Sequence, residues 1–463
     1  MRLLQALLGP GPTLPLHLPA HGRGRGLAPG LRRLLAASPA RWDLPELSSI
    51  GGPLEAEGAV ALAQADAAGL CGADHCWFGV NGSSGLLQAA LLALAPPGSR
   101  VLLPRNLHRS LLHGCVLAQL RPVLFDLPFD PATGLWQPPT PAWLERVLEQ
   151  AGSLAAVVLV HPTYQGLAGD LAGCIALAHR RSLPVLVDEA HGAHFGAAGL
   201  PAKLLPVPAL AAGADVVVQS LHKAAGGLGQ SAVVLLQGQR VEPEALWRGL
   251  LWLQTSSPSA LLLASVEAAL CQLHSPRGAL QLQRALGIAA RLRERLETAG
   301  LPVVANQDPL RLVLNTAALG VNGLVADDWL SERGVIAELP EPGCLTFCLG
   351  QVPPPLLSRR LPRQLSRLAA CLGGVPLPAF LPPPLPLVAE PELPVGLAWR
   401  SDSEAVPLAQ AVGRLAAEPL CPYPPGIPLL IPGERIDQGR AEWLQEQRRL
   451  WPGQIADSVK VVV

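Results

Sequence analysis

Lysine is nearly missing from this chain. Its 463 residues include 35 basic side chains, of which only Lys203, Lys223 and Lys460 are lysine. Arginine serves wherever a surface cation will do, so a retained lysine points to chemistry closed to a guanidinium, such as forming an imine. Net charge is missing as well. The 35 acids balance the 35 bases, and charged residues make up only 15% of the chain, which excludes a protein built to grip a phosphate backbone or an acidic surface. Arg23 and Arg25 alternate with glycine, but two arginines in a neutral chain do not make a nucleic-acid site. The nine cysteines show no paired short spacings, which excludes a disulfide framework and fits free thiols in a reducing cytosol. No apolar run approaches the ~20 residues that span a bilayer, since Leu86–Ala95 stops at Pro96-Pro97-Gly98. The Arg-rich, Gly-rich and Pro-rich start lacks acids until Asp43 in the manner of a transit peptide, but its apolar piece Leu3–Leu8 is short for a signal. The expectation is a soluble, cytoplasmic protein with a small-molecule partner, no nucleic acid and no membrane.

What is present is a repeating grammar. At roughly 150 residues per domain the length suggests two or three domains. Residues 1–54 alternate Pro and Gly with short apolar pieces and read as an arm with one helix. From about Glu55 apolar strands alternate with helices: strands over Cys76–Val80, Arg100–Leu103, Pro122–Phe125, Ala155–Val160, Pro184–Val187, Asp215–Val218 and Ser231–Leu236, with helices such as Leu86–Leu94, Pro141–Ala151 and Leu171–Arg181 between them. Such alternation means an α/β fold whose mainly parallel sheet is covered by helices on both faces, with sites outside the carboxyl ends of the strands. We assign 55–258 to this large domain and 259–374 to a helical linker and small domain, with strand candidates Val303–Ala305 and Leu310–Leu314. Residues 375–463 are a Pro-rich connector and a C-terminal α+β domain with a helix over Val406–Ala417.

Three strand ends carry the chemistry. Asp188 stands where Leu186-Val187 stops, Lys223 follows Val216-Val217-Val218 by a few residues, and Gly82-Ser83-Ser84-Gly85 opens an apolar helix. A structural ion pair is the plain reading of a buried Asp and Lys. Pyridoxal phosphate gives the sharper one: a lysine to hold the aldehyde, a carboxylate to keep the pyridine nitrogen protonated, and hydroxyls with N–H groups at a helix start for the phosphate. The Gly/Ser turn alone is weak, but with lysine so scarce the combination favours the coenzyme. Asp188, His191 and His194 have a spacing that also serves Zn or Fe; that reading leaves the lysine and the phosphate turn unexplained, and we assign no metal. The Asp188-Glu-Ala-His191 tetrapeptide of a helicase box lacks the G-x-x-x-x-G-K-[ST] loop that must accompany it. Cys71-Gly-Ala-Asp-His75-Cys76 has no second half and reads as packing.

Asp188-Glu-Ala-His191-Gly-Ala-His-Phe-Gly196 followed by Ser220-Leu-His222-Lys223 resembles the coenzyme motifs of the ornithine/lysine/arginine decarboxylase family, within the aspartate aminotransferase fold. Further matches are Leu16-His17-Leu-Pro19-Ala-His21-Gly-Arg23-Gly24, Arg105-Asn106-Leu-His108-Arg-Ser110, His161-Pro-Thr163-Tyr164-Gln-Gly166, Gln254-Thr255-Ser256-Ser257-Pro258 and Tyr423–Glu434. The chain departs where Pro19-Ala20-His21-Gly22 replaces the family's usual Pro-Gly-His-Lys, and its length resembles the short subgroup.

The resemblance implies that Lys223 forms the imine and Asp188 pairs with the pyridine nitrogen, with His108 stacked on one face of the ring and Ala190 on the other. It places Ser83, Ser84, Ser220 and His222 around the phosphate, Thr255 toward a partner subunit's phosphate in a homodimer or higher oligomer, and His191 close to the coenzyme. The implied reaction is decarboxylation of arginine, lysine or ornithine to the amine and carbon dioxide, feeding polyamine metabolism, with Lys223 or His222 returning a proton to Cα. Glu434, Glu189 and Glu267 are acids that could pair with the substrate's cationic side chain. An aminotransferase or acyl-condensing synthase on the same fold, and a non-catalytic regulatory relative, are the alternatives. The retained Asp188, His108 and Lys223 argue against the last.

Overall fold

The computed structural model describes every residue except Met1, Pro10, Ala202, Pro425 and Pro452; Pro425, within the Tyr423–Glu434 segment, and Met1, in the arm, therefore lie outside it. Seven strands build the main sheet: β1 His75–Gly79, β2 Arg100–Pro104, β3 Arg121–Phe125, β4 Ala156–Val160, β5 Val185–Asp188, β6 Val216–Ser220 and β7 Ala232–Leu236. They lie in the order β3-β2-β4-β5-β6-β7-β1, and the two-residue strand Val388–Ala389 closes the edge beside β3. From β3 to β6 neighbours run parallel, while β7 is antiparallel to both β6 and β1. β1 thus points the same way as β6, and the carboxyl ends of β1, β2, β4, β5 and β6 meet at one edge.

These segments are sheet because they are apolar on both sides and short. Along β4 and β5, Val157, Leu159, Val185 and Val187 join one core cluster, while Val158 and Leu186 join the other. This is the alternation a two-residue period demands when helices cover both faces. Asp170 caps one covering helix, Leu171–Arg180, by accepting from Gly173 N.

A second, antiparallel sheet follows: β8 Arg311–Asn315, β9 Leu339–Glu341 and β10 Cys344–Cys348. Helix Leu357–Leu372 buries Leu357, Leu361, Leu365 and Leu368 along one stripe. The arm carries two helices, Arg2–Leu8 and Pro29–Leu35, where its sequence suggested one, and Leu14–Pro15 pairs in parallel with Val335–Ile336. Ala20 N also donates to His222 O at 3.0 Å, so the arm backs onto the main sheet.

Two local expectations fail. The helix expected over Val406–Ala417 is instead the strand Ser403–Pro407, antiparallel to Ser458–Val462, and then one 3-10 turn at Leu408–Gln410. Its Ala and Leu content favours helix, but Pro407 and Gly413 (φ +84°) bound the segment, and pairing with the end of the chain overrides propensity. Val303–Ala305 makes a single bridge, Val303 to Leu314, rather than a strand. No helix among the described residues is long and apolar enough to cross a membrane.

Candidate active site

Because β1, β2, β4, β5 and β6 end at one edge, five loops converge there. Each brings side chains that are distant in sequence. β5 ends on Asp188, which is buried and aligned with Val218 of β6. β6 ends on Ser220, and the next turn, Leu221–Ala224, presents Lys223. β1 leads into Gly82–Leu94, β2 into Arg105–Ser110 and β4 into His161–Gly166.

Lys223 takes His191, not Asp188, as its hydrogen-bond partner: Nζ lies 3.0 Å from His191 Nε2. The Asp188 carboxylate accepts only from Ala190 N among the described residues, at 3.1 Å. The plain ion pair is therefore not formed. Burial pushes the Lys223 ammonium below the ordinary lysine range and Arg311 pushes the same way, against the pull of Asp188. Burial likewise pushes the Asp188 carboxyl up, with Lys223 and the Ala190 N–H opposing. A nearby permanent cation, such as a protonated ring nitrogen, is what this carboxylate lacks.

At the start of helix Gly82–Leu94, Asn81 supplies no side-chain cap. Gly82 N donates to Gln230 O at 2.9 Å, and the N–H groups that follow it in the first turn have no capping side chain. Ser220 Oγ donates to the buried Ser83 Oγ at 2.9 Å, and Ser84 is next in the same turn. Gly82 (φ +65°) has no atom within 4 Å of where a Cβ would sit, so the mouth of this turn is open. Uncapped N–H groups, three hydroxyls and a helix dipole suit a phosphate. Together with Lys223 and Asp188 they fit pyridoxal phosphate. His222 Nδ1 lies 3.4 Å from Ser231 O, just before β7. Burial, and Lys223 beside it, push its pKa down to about 4, so the ring is neutral.

His108 caps helix Arg109–Leu117 by accepting from Ser110 N, and its Nδ1 meets Ser110 Oγ at 2.7 Å. The ring is thereby held while remaining exposed, as a stacking surface must be. Ala190 is buried beside Asp188. Thr255 sits apart: it is exposed between two helices and its hydroxyl meets Ser257 at 3.3 Å, with no bond to the other candidates among the described residues.

Three further residues enter the cluster: Tyr164, matched in sequence to a family motif without being given a role, and Arg311 and Glu338, which sequence reasoning missed. Tyr164 packs its ring 4.3 Å from that of His191 and donates to Glu338. Glu338 also accepts from Leu18 N of the arm at 2.6 Å. The buried Arg311, first residue of β8, places Nη2 3.4 Å from His191 Nδ1. Gly166 (φ +82°) allows this approach, since a Cβ there would lie 2.8 Å from Arg311 Cβ. Tyr164 had a signal, its place just past a parallel strand. Arg311 and Glu338 had none, because they come from the second sheet.

The acids considered for the substrate's cation are otherwise engaged. Glu434 is bound through both oxygens by Arg105, at 2.9 and 2.5 Å, and accepts from Ile431 N at 2.8 Å. Glu189 is fully buried and accepts from Ala209 N and Gln219 Nε2, both at 2.7 Å. Glu267 is exposed on helix Ala260–Leu273. His194 is held by Asp308 at 3.0 Å, and Asp188, His191 and His194 form no metal-ligand group among the described residues.

Comparison with known proteins follows this geometry. The family model described as Orn/Lys/Arg decarboxylase, major domain, matches residues 16–310, and the one described as Orn/Lys/Arg decarboxylase, C-terminal domain, matches residues 385–453. An arginine decarboxylase of Halalkalibacterium halodurans is 30% identical over 94% of this chain and 90% of its own length. Among solved structures, lysine decarboxylase A from Pseudomonas aeruginosa superposes with a TM-score of 0.76 at 18% identity, covering 91% of this chain and 74% of that one. An aspartate aminotransferase from Thermus thermophilus gives a TM-score of 0.55 at 17% identity over 78% of this chain and 97% of that one. The fold expected from the alternation of strands and helices is thus the one found.

Proposed function

The chain belongs to the Orn/Lys/Arg decarboxylase family, and on that premise we propose that it converts arginine, lysine or ornithine to the amine and carbon dioxide with pyridoxal phosphate carried on Lys223. The observation that carries this reading is that Lys223 and the buried Asp188 form no ion pair with each other, beside a serine-bearing helix start that lacks a side-chain cap. When bound, the coenzyme supplies an electron sink for the pair left behind as carboxylate departs.

The rest falls to the chain's own residues. Asp188 holds a proton on the ring nitrogen by its charge. Ser83, Ser84, Ser220 and His222 fix the phosphate, and Thr255 reaches a partner subunit's phosphate. His108 and Ala190 enclose the ring, and His191 stays close to it. Burial of the pocket by Ala190 and Tyr164 keeps water out, which favours loss of a charged carboxylate as neutral carbon dioxide. Lys223 Nζ, once it has taken up the proton shed by the incoming substrate's α-ammonium, would deliver it to Cα. His222 is the weaker donor, because a ring with a pKa near about 4 carries no spare proton at neutrality.

The same reading divides the chain into an arm (1–54), a coenzyme-binding large domain (55–258), a linker and small domain (259–374) and a C-terminal domain (375–463). It further implies a cytoplasmic homodimer with sites at its interface, supplying amines to polyamine metabolism. The test is a screen of purified protein with pyridoxal phosphate against the three amino acids, reading agmatine, cadaverine and putrescine. Arginine goes first, because the relative from H. halodurans carries that name. Formation of one amine supports the proposal, and no turnover of any of the three rejects it.

A further inference from the structure

We infer that Arg311 is a positioning residue that fixes the tautomer of His191 and, through it, keeps Lys223 as the free amine. Three nitrogen groups lie in series: Arg311 Nη2 is 3.4 Å from His191 Nδ1, and His191 Nε2 is 3.0 Å from Lys223 Nζ. A guanidinium stays charged and only donates. Nδ1 must therefore accept, so a neutral imidazole carries its hydrogen on Nε2 and aims it at Nζ. Nζ can accept only as an amine, since an ammonium has no lone pair. The opposite arrangement, with Lys223 charged and donating to Nε2, puts an N–H on Nδ1 against an Arg311 N–H. Arg311 and His191 are both buried, so water cannot easily separate two such donors, and the clash is costly.

The surroundings hold the series in place. Tyr164 packs against the His191 ring at 4.3 Å, and Asp308, the acid near Arg311, is engaged by His194 and by Leu310 N. Asp188 and Glu338 face Lys223 and favour its charged form, while the Cys348 thiol, pushed up to about 12 by burial, faces it uncharged. Glu338 already accepts from Tyr164 and Leu18. His108 and His222 face His191 and oppose a charge on it. Against these, Arg311 supplies both a repelling charge and a directed bond. The amine is the form that attacks a carbonyl, so the device readies Lys223 for the coenzyme.

The inference rests on Lys223 being that nucleophile, and its test uses no turnover. Nitrogen NMR of the histidine-labelled full chain, stripped of coenzyme and assigned with His191→Gln, reads the tautomer directly. Competitive acylation with peptide mapping reads the Lys223 amine against pH. We expect the Nε2–H tautomer in the natural chain. Arg311→Gln should mix the tautomers and slow Lys223 acylation at neutral pH by about tenfold, and Arg311→Lys should restore the tautomer. An Nδ1–H tautomer or a doubly protonated ring overturns the inference, as does an unchanged acylation profile in Arg311→Gln. If that variant does not fold, the natural chain's tautomer decides alone. Amine production with the wrong tautomer sinks this inference only, whereas the right tautomer without amine production sinks only the decarboxylase reading.

Discussion

At Arg105 and Glu434 the chain buries a cation and an anion that answer each other; at Lys223 and Asp188 it holds a half-buried amine and a buried carboxylate that do not. Glu434 takes two bonds from Arg105 and one from Ile431 N, and Arg440 stands 3.6 Å away. This cluster ties the loop after β2 to a segment 329 residues later, and its charges are spent on architecture. Lys223 instead meets a histidine, and Asp188 meets one backbone N–H. Ionisable groups left short of partners in a protein interior cost stability and are kept where a ligand completes them. The contrast separates a joint from a site without reference to sequence motifs.

Breaking the contrast at its strongest point means replacing the lysine. Lys223→Met removes the amine that forms the imine, so turnover should fall on the order of 10⁴-fold or more, while the thermal midpoint should hold or rise because an under-partnered polar group has been removed. The joint should behave in reverse. Glu434→Ala leaves Arg105 buried and uncompensated, and denaturant titration should show a loss of about 3–5 kcal/mol, with Glu434→Gln losing less because one bond can persist. Asp188→Asn removes the anion but keeps the shape. Its turnover should drop about 10²-fold, with little change in stability.

A finer test concerns Glu189, next to Asp188 in sequence but satisfied in the manner of the joint. Burial pushes its carboxyl up to about 8, although Gln219 and Ala209 N donate to it. A raised acid contributes stability that is fully present below its unfolded value of 4.5 and is lost as pH rises through about 8. Relative to the natural chain, Glu189→Gln should therefore gain stability as pH rises from 5 to about 8, read as the difference between two denaturation series. Parallel slopes would contradict this. The smallest effect is expected at Thr255→Ala, an exposed position, where coenzyme affinity should weaken by about tenfold or less when titrated by absorbance.

The legible parts of this molecule are those whose cause is local. The apolar runs within Ala155–Val160 and Asp215–Val218 read as buried strands because nothing polar breaks them, and the second strand continues through Gln219 to Ser220. Asp188, Ser83 and Lys223 stood out because each follows such a run or opens a helix. Pairings across the chain were invisible. Arg311 and Glu338 reach the site from the second sheet, 120 residues from His191 in one case and 174 from Tyr164 in the other. Glu434 was read as a free acid because its partner Arg105 lay far upstream. Val406–Ala417 looked helical for the same reason, since the strand that claims its start, Ser458–Val462, is the last in the chain.

The central claim is covalent, and one measurement addresses it: hydride reduction of the protein loaded with pyridoxal phosphate, followed by peptide mapping. The coenzyme should be found fixed on Lys223, in the peptide that also holds His222. Label on Lys203 or Lys460, or no label at all, would contradict the account.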